Sequence, residues 1–549
     1  MTTTTSTTEE MAADPEVLTD ELLRDTAAKV GVCVRPLIRR VTDTDTGESE
    51  VVPLSCGSTR ASVCPSCAAK ARRLRMQQCR DGWHRTDDPA EIIDQADDEP
   101  EPEPDDADAG AGDSSPVRRR STKRLTEVTD DDGNVVKKFP PLPLAPDVED
   151  RTVGRVYTSP DGKVYRPSMF LTLTLPSYGR VRADGTPRSP KTYDYRRAAL
   201  DAIHFPKLLD RFWQNLRRCA GYNVQYFGCV EPQRRLALHA HAAVRGAIPR
   251  ALLRDVVAAT YQQVWWPNHD EPIYTGARLP IWNERTETYV DPDTLVPLVS
   301  WDAAMDATYE PDAEAAHVLY LGEQVDMQGL LPDTQLADNR VGYICKYLTK
   351  NIAEAYDPDT MSRRQRTHLN RLHREVRWLP CCPECPNWLR FGIQPKNPEP
   401  GMQPGYCPRP AHQLENLGHG GRRVLVSRDW SDKTLAEHKA DRAEVVRAAL
   451  AEAGIDAPDT DRWSANQTDD DGTPRFVWDP VDIDHATDRQ TYRVIIRRLI
   501  TERLRWQQEY DTAKAQAAND PPDDTHSATQ PDPVTPAAKP EGGTLCPAT

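Results

Sequence analysis

The sequence predicts an α+β domain that carries small zinc-binding modules and is joined and ended by stretches that do not pack. Three observations predict it. Phe170-Leu-Thr-Leu-Thr-Leu175 alternates with period two, as a strand with one buried face does. Leu208, Leu209, Phe212, Trp213 and Leu216 recur at helical spacing within 193–219. Most of the 13 cysteines fall into two clusters, and the N-terminus lacks the basic and apolar regions of an export signal, which favours metal binding over disulfides.

Residues 1–27 begin Thr-rich and acidic and are expected to be disordered. Residues 28–86 hold the first cysteine cluster and a basic run, Lys70-Ala-Arg-Arg-Leu-Arg75, and read as a zinc-ribbon-like DNA-binding module. Residues 87–150 read as an acidic low-complexity linker. Its Asp, Glu, Pro and Ala cannot repay the entropy of ordering. Residues 151–365 form the α+β domain, with a Pro-rich insertion at 266–335. Its second and third strands are Val224 to Val230 and Leu238 to Val244, and helices cover Arg250 to Trp265 and Asn339 to Ile352. A second Cys/His module spans 366–425, a charged helical region 426–518, and a disordered Pro-, Asp- and Thr-rich tail 519–549.

The net charge of −16 and mean hydropathy of −0.69 argue naively against a nucleic-acid partner. The acid is concentrated in blocks, notably Asp87 to Asp113, and local charge governs binding to phosphates. No run of eighteen apolar residues exists, so no membrane span and a cytoplasmic protein are expected.

His239-Ala-His241 lies in the apolar run Leu236 to Val244. Residues two apart on a strand share a face, so both imidazoles can reach one cation. A divalent ion acting on phosphate also wants an oxygen ligand. Glu231 ends the preceding strand, and a hairpin through Pro232–Arg235 would return it beside the histidines. The set does not name a reaction, because metallohydrolases use such pairs too.

Val341-Gly-Tyr-Ile-Cys-Lys-Tyr-Leu-Thr-Lys350 places Tyr343 and Tyr347 on one helical face, with Lys346 and Lys350 on a neighbouring stripe. A tyrosine is a poor nucleophile at its ordinary pKa near 10. A nearby lysine and a metal can stabilise its phenolate or the charge developing on an attacked phosphate. By itself the helix reads as ordinary amphipathic core, with two core tyrosines and two solvated lysines.

Cys56, Cys64 and Cys67 include a Cys-x₂-Cys half-site for structural zinc, with Cys33 as fourth ligand and Cys79 as its rival. Arg72, Arg73 and Arg75 follow and suit contact with a DNA backbone. The second set is Cys382, Cys385, Cys407 and His412, with Cys381 and His419 as alternatives. Cys219, Cys229 and Cys345 read as small core residues, and Cys546 has no partner. Arg217 and Arg218, with Arg211, are further DNA candidates near the cleft, while Trp213 reads as buried. The basic stretch Thr491–Arg505 reads as a solvated face. No GxxxxGK[ST] loop is present, so strand unwinding needs a separate helicase.

The alternating strand, Glu231 with His239-Ala-His241, and Tyr343-x-x-Lys346-Tyr347-x-x-Lys350 stand in the order of the three motifs of HUH endonucleases. With Cys56-Gly-Ser-x-Arg-x-x-x-Cys-Pro-x-Cys67, Val230-Glu-Pro-Gln233 and Leu417-Gly-x-Gly-Gly421, residues 28 to 445 resemble the rolling-circle replication initiators of actinobacterial plasmids and integrative elements. The resemblance implies an HUH-type antiparallel sheet with flanking helices, a central histidine strand and a tyrosine helix lying across it. It implies a metal-dependent single-strand DNA endonuclease and ligase. In it His239, His241 and Glu231 hold Mg²⁺ or Mn²⁺, Tyr347 attacks the origin, and Lys350 or Lys346 positions phosphate or metal. The 3′-hydroxyl left behind primes synthesis on single-stranded or supercoiled origin DNA, with a host helicase and DNA polymerase as partners. Some relatives carry a Glu four residues before the nucleophile. Here Tyr343 stands there, which suggests a two-tyrosine mechanism and leaves open which acts first. A related relaxase or transposase is the alternative within this superfamily, although relaxases place the tyrosine before the histidines. A zinc-dependent DNA-binding regulator is the non-enzymatic alternative.

Overall fold

The structure is a computed structural model. It describes residues 19–83, 85, 124–129, 132–145, 147, 151–154, 157–158, 162, 164–165, 167–331, 334–346, 352–357, 360–452, 473–481 and 486–519. The acidic stretch 87–123 and residues 520–549 of the tail lie outside these.

At the centre is a five-stranded antiparallel sheet in the order Asp326–Leu330, Ser168–Thr174, Leu238–Val244, Tyr226–Pro232, Val424–Val426. The histidine strand, Leu238–Val244, is the middle one, and every residue of it is buried. Both faces of the sheet are therefore covered, as in a core strand. The alternation of Ser168–Thr174 divides the faces. Met169, Leu171 and Leu173 join Val230, Ala240 and Ala242 beneath the helix Tyr195–Ala220 and the helix Arg363–Trp378. Phe170 joins Phe227, Cys229 and Ala243 on the opposite face, under the helix Gln335–Lys346. Each large apolar side chain fully buried in these layers contributes roughly 1.5–3 kcal/mol by area removed from water.

The helix Tyr195–Ala220 is capped by Asp194, whose side chain accepts from the Arg197 amide, and stops at Gly221 in the left-handed region. The glycine-rich segment after Leu417 runs along it. A Cβ on Gly418 (φ +98°) would lie 2.8 Å from Ala202 Cβ, and one on Gly421 2.7 Å from Pro206 Cγ. Glycine is needed at both places for close approach.

The N-terminal module is completed from the far end of the chain. Its hairpin, Leu37–Asp43 with Ser49–Leu54, gains Phe476–Pro480 as a third strand. Ile496 and Ile500 of the helix Ala486–Asn519 pack with Leu23, Ala27, Cys33, Cys64 and Cys67. No helix among the described residues is long and apolar enough to cross a membrane.

Four boundaries differ from expectation. Asp20–Lys29 is a helix within the stretch expected to be disordered, because Thr19 caps it, Asp20 and Glu21 lead it, and Leu23 and Ala27 are buried. The linker contains a hairpin, Glu127–Thr129 with Val135–Lys138, anchored by buried Phe139 against Tyr261 and Tyr320. The helix expected to reach Trp265 stops at Ala259. Thr260 turns extended, and Tyr261–Val264 pairs with His317–Tyr320. The insertion expected to run to residue 335 gives up Asp326–Leu330, which is an edge strand of the central sheet.

Candidate functional site

The tight turn Gln233–Ala237 closes a hairpin that sets Glu231 opposite His239 and Cys229 opposite His241. Leu236 takes a positive φ of 64° to make that turn. Glu231, His239 and His241 then face one point, with one ligand atom from each within 4.8 Å of the others. His239 Nε2 and His241 Nε2 stand 2.9 Å apart, and Glu231 Oε2 lies 4.0 and 3.8 Å from them. Two lone pairs aimed at each other want a proton or a cation between them. Burial pushes the imidazoles down, His239 to about 4 and His241 to about 3, so both are neutral and able to bind metal. Burial pushes Glu231 up to about 7, against a hydrogen bond from Cys229 and the charges of Arg423 and Lys346. A bound cation would displace its proton.

Neighbours hold this set in place. Thr172 Oγ1 lies 2.9 Å from His241 Nδ1. That bond fixes the ring and leaves Nε2 for a ligand. Cys229 Sγ donates to Glu231 Oε1 at 3.2 Å. Arg340 lies over the Phe170 ring and is held by Gln328. Thr172 and Cys229 share the site's face by strand alternation, and Arg340 precedes Tyr343 by three residues. These signals are legible once the pairing of the strands is known. A Thr172→Val variant is expected to weaken Mn²⁺ binding about ten- to hundred-fold, the usual effect of losing an outer-shell partner. Calorimetric titration checks it, and unchanged affinity would exclude the orienting role of Thr172.

The helix Gln335–Lys346 crosses this face and brings Tyr343 to the histidines. Its hydroxyl is 3.4 Å from His241 Nε2, and its ring meets the rings of His241 and Phe170 edge-on. Lys346 ends the helix, exposed, and its charge reaches Glu231. Tyr347 and Lys350 lie outside the described residues.

Cys33, Cys56, Cys64 and Cys67 bring four sulfurs within 4.8 Å of one another. Cys79 is elsewhere, buried with Cys345, Trp83 and Trp430. Burial opposes ionisation of Cys33 and Cys67, a cost that a bound cation offsets. The second converging set is Cys381, Cys385, Cys407 and His412. This corrects the expectation of Cys382. Cys381 Sγ lies 4.0 Å from Cys407 Sγ and 3.7 Å from Cys382 Sγ, yet Cys382 is not among the four whose ligand atoms converge within 4.8 Å. His412 Nδ1 donates to the Val376 carbonyl and turns Nε2 toward Cys385 Sγ at 3.5 Å. His419 faces the Arg422 carbonyl instead. Both closed, thiolate-rich sets of four fit structural zinc.

The arginines expected to touch DNA divide. Arg73 is exposed, whereas Arg72 donates to the Gly342 carbonyl and Arg75 to Gln78. Arg211, Arg217 and Arg218 ride on the helix behind the sheet, on the face opposite the histidines, so they do not line this site. Arg217 is held by the Val224 carbonyl, and buried Trp213 stacks on Tyr226 at 3.7 Å. Around Thr491–Arg505, Arg493, Arg498 and Arg505 pair with Asp20, Glu502 and Glu509.

The family model described as replication initiator protein, pSAM2 (RepSA) matches residues 20–492. No curated protein matches the chain significantly. No solved structure does either.

Proposed function

The chain belongs to this family of plasmid replication initiators, and from that premise we propose that it starts rolling-circle replication by nicking one origin strand with a tyrosine. The observation that carries the reading is Tyr343, whose hydroxyl stands 3.4 Å from His241 Nε2 at the edge of the Glu231–His239–His241 set. The central histidine strand and the tyrosine helix across it support an HUH-type domain.

Two imidazoles and a carboxylate suit Mn²⁺ or Mg²⁺ with positions left for substrate. When bound, the ion would draw charge from the scissile phosphate. The chain's residues do the rest. The tyrosine oxygen attacks phosphorus and gives up its proton, the bond from phosphorus to the 3′-oxygen breaks, and that oxygen leaves as a hydroxyl. Lys346 and Arg340 supply positive charge beside the donors, where negative charge develops. The phosphotyrosine keeps the bond energy of the diester, so a later 3′-hydroxyl can reverse the step and rejoin the strand. Tyr343 and Tyr347 supply two such nucleophiles, one for the opening nick and one for the regenerated origin. The free 3′-hydroxyl primes a host polymerase behind a host helicase. The two cysteine-rich sets hold structural zinc.

The test uses a single-stranded origin oligonucleotide labelled at either end, with Mn²⁺, resolved under denaturing conditions. The 3′-labelled fragment should travel with the protein, and the 5′-labelled fragment should be released and be extendable by a polymerase. Cleavage without any covalent protein, or retention of the 5′-labelled fragment, would overturn the reading.

A further inference from the structure

The helix Arg363–Trp378 carries six arginines and one acid, Glu375, in a chain of net charge −16. Its apolar stripe, His368, Leu369, Leu372 and Val376, is buried against the helix Tyr195–Ala220. Arg363, Arg364, Arg366, Arg371 and Arg374 are exposed on the other side. Among the described residues none of the five makes an ion pair; the charge of Arg364 reaches Asp184, and Arg371 lies over the Tyr195 ring at 5.2 Å. A helix of this length runs about 24 Å, enough to follow several phosphates.

Both ends are tied to places that matter. Near its start, His368 Nε2 donates to the Arg235 carbonyl, in the turn that joins Glu231 to His239. Near its end, His373 donates to the His412 carbonyl and Arg377 Nε to the Gly405 carbonyl, both in the second cysteine module. There the Arg377 guanidinium lies 5.2 Å from the ring centre of Tyr406 and 5.3 Å from that of Trp378, with Arg390 over Trp378 at 4.7 Å. Tyr406 is 69% exposed. A Cβ on Gly405 would lie 2.6 Å from Trp378, so its glycine lets the Tyr406 loop close onto that ring.

We propose that this helix, on the sheet face opposite the tyrosine, is a phosphate track for single-stranded DNA that rounds the hairpin turn Gln233–Ala237 from the tyrosine site and runs to a base-stacking platform at Tyr406 on the second cysteine module. The assignment rests on the nicking function and locates where the strand beyond the nick is held. Exposed arginines outside ion pairs match phosphates, and an exposed ring backed by a guanidinium takes an unstacked base, which a duplex does not offer.

The test reads fluorescence anisotropy of the full chain, without divalent metal, on a thymidine oligonucleotide of about 30 nucleotides and a duplex of equal length. An Arg366→Gln, Arg371→Gln, Arg374→Gln variant should bind the single strand at least about ten-fold more weakly. Its plot of log affinity against log salt should flatten by about 2, at about 0.7 for each phosphate left without an arginine. Tyr406→Ala should weaken binding about ten-fold with the slope kept, as for loss of one stacked base. Zinc content and circular dichroism confirm that the surface variants fold. Unchanged affinity and slope, or an equal loss on the duplex, would overturn the track. Adduct formation is not read, so a failure of the nicking reaction and a failure of this surface are separable.

Discussion

A Tyr343→Phe, Tyr347→Phe variant is expected to form no covalent DNA adduct, a loss of at least about 10⁴-fold, the scale seen when a nucleophile is removed from a preorganised site. The change deletes two oxygens and leaves the rings. The Tyr343 ring still packs edge-on against His241 and Phe170, so the helix keeps its seat. The ligand set lies on the sheet hairpin, apart from the helix. Mn²⁺ affinity should therefore fall far less than adduct yield, about ten-fold at most, since no ligand is removed and only the 3.4 Å contact of the Tyr343 hydroxyl with His241 is lost. The single variants order the two steps. If Tyr343 opens the origin, its phenylalanine variant loses the first adduct and Tyr347→Phe keeps it; the reverse holds if Tyr347 acts first. An adduct that survives in the double variant would sink the tyrosine mechanism outright.

The parts of this site written locally were legible in the sequence. Period two puts His239 and His241 on one face, and a short polar turn returns Glu231 beside them, because hairpin register depends on few residues. The four sulfurs of the first cluster were legible for the same reason, except that choosing Cys33 over Cys79 needed the fold. Spacing misled at Cys381 and Cys382. Both satisfy a short loop to Cys385, and only the folded geometry brings Cys381 together with Cys385, Cys407 and His412. Pairings between distant segments were not legible. Val424–Val426 joins the sheet and Phe476–Pro480 joins the N-terminal hairpin through backbone bonds that no side-chain pattern announces. The pattern of Tyr195–Ala220 told which side of that helix is buried, but not which face of the sheet receives it. Arg217 and Arg218 were thereby placed near a cleft that lies on the sheet's other face, and the exposed arginines of Arg363–Trp378 were not singled out.

Replacement of Cys64 and Cys67 by serine is expected to lower adduct yield at least about ten-fold, although neither residue is near the histidines. Cys64 precedes the helix Pro65–Trp83 and Cys67 lies in its first turn. The apolar core around them is thin, chiefly Leu23, Ala27, Val32, Val34, Ile496 and Ile500. A module with so little core draws its stability from metal, on the order of 10 kcal/mol or more for structural zinc in small peptides. The far side of the same helix lies along the tyrosine helix. Arg72 donates to the Gly342 carbonyl, Arg80 pairs with Asp338 at 3.2 Å, and Cys79 and Trp83 share a buried cluster with Val341, Ile344 and Cys345. Zinc held by these cysteines would therefore fix a helix that packs along the tyrosine helix. Loss of this zinc should remove one metal equivalent, speed amide exchange over Val341–Lys346, and leave Mn²⁺ binding at the hairpin intact. The C-terminal end of the zinc helix has its own anchors, since Arg245 donates to the Gly82 carbonyl and Trp430 to the Gln78 carbonyl. If those suffice, the zinc-free variant will nick at the full rate with amide exchange unchanged, and the module will be shown to act on DNA alone. If the coupling holds, adduct yield and exchange protection will fall together while the metal site on the hairpin remains, because only the helix has lost its support.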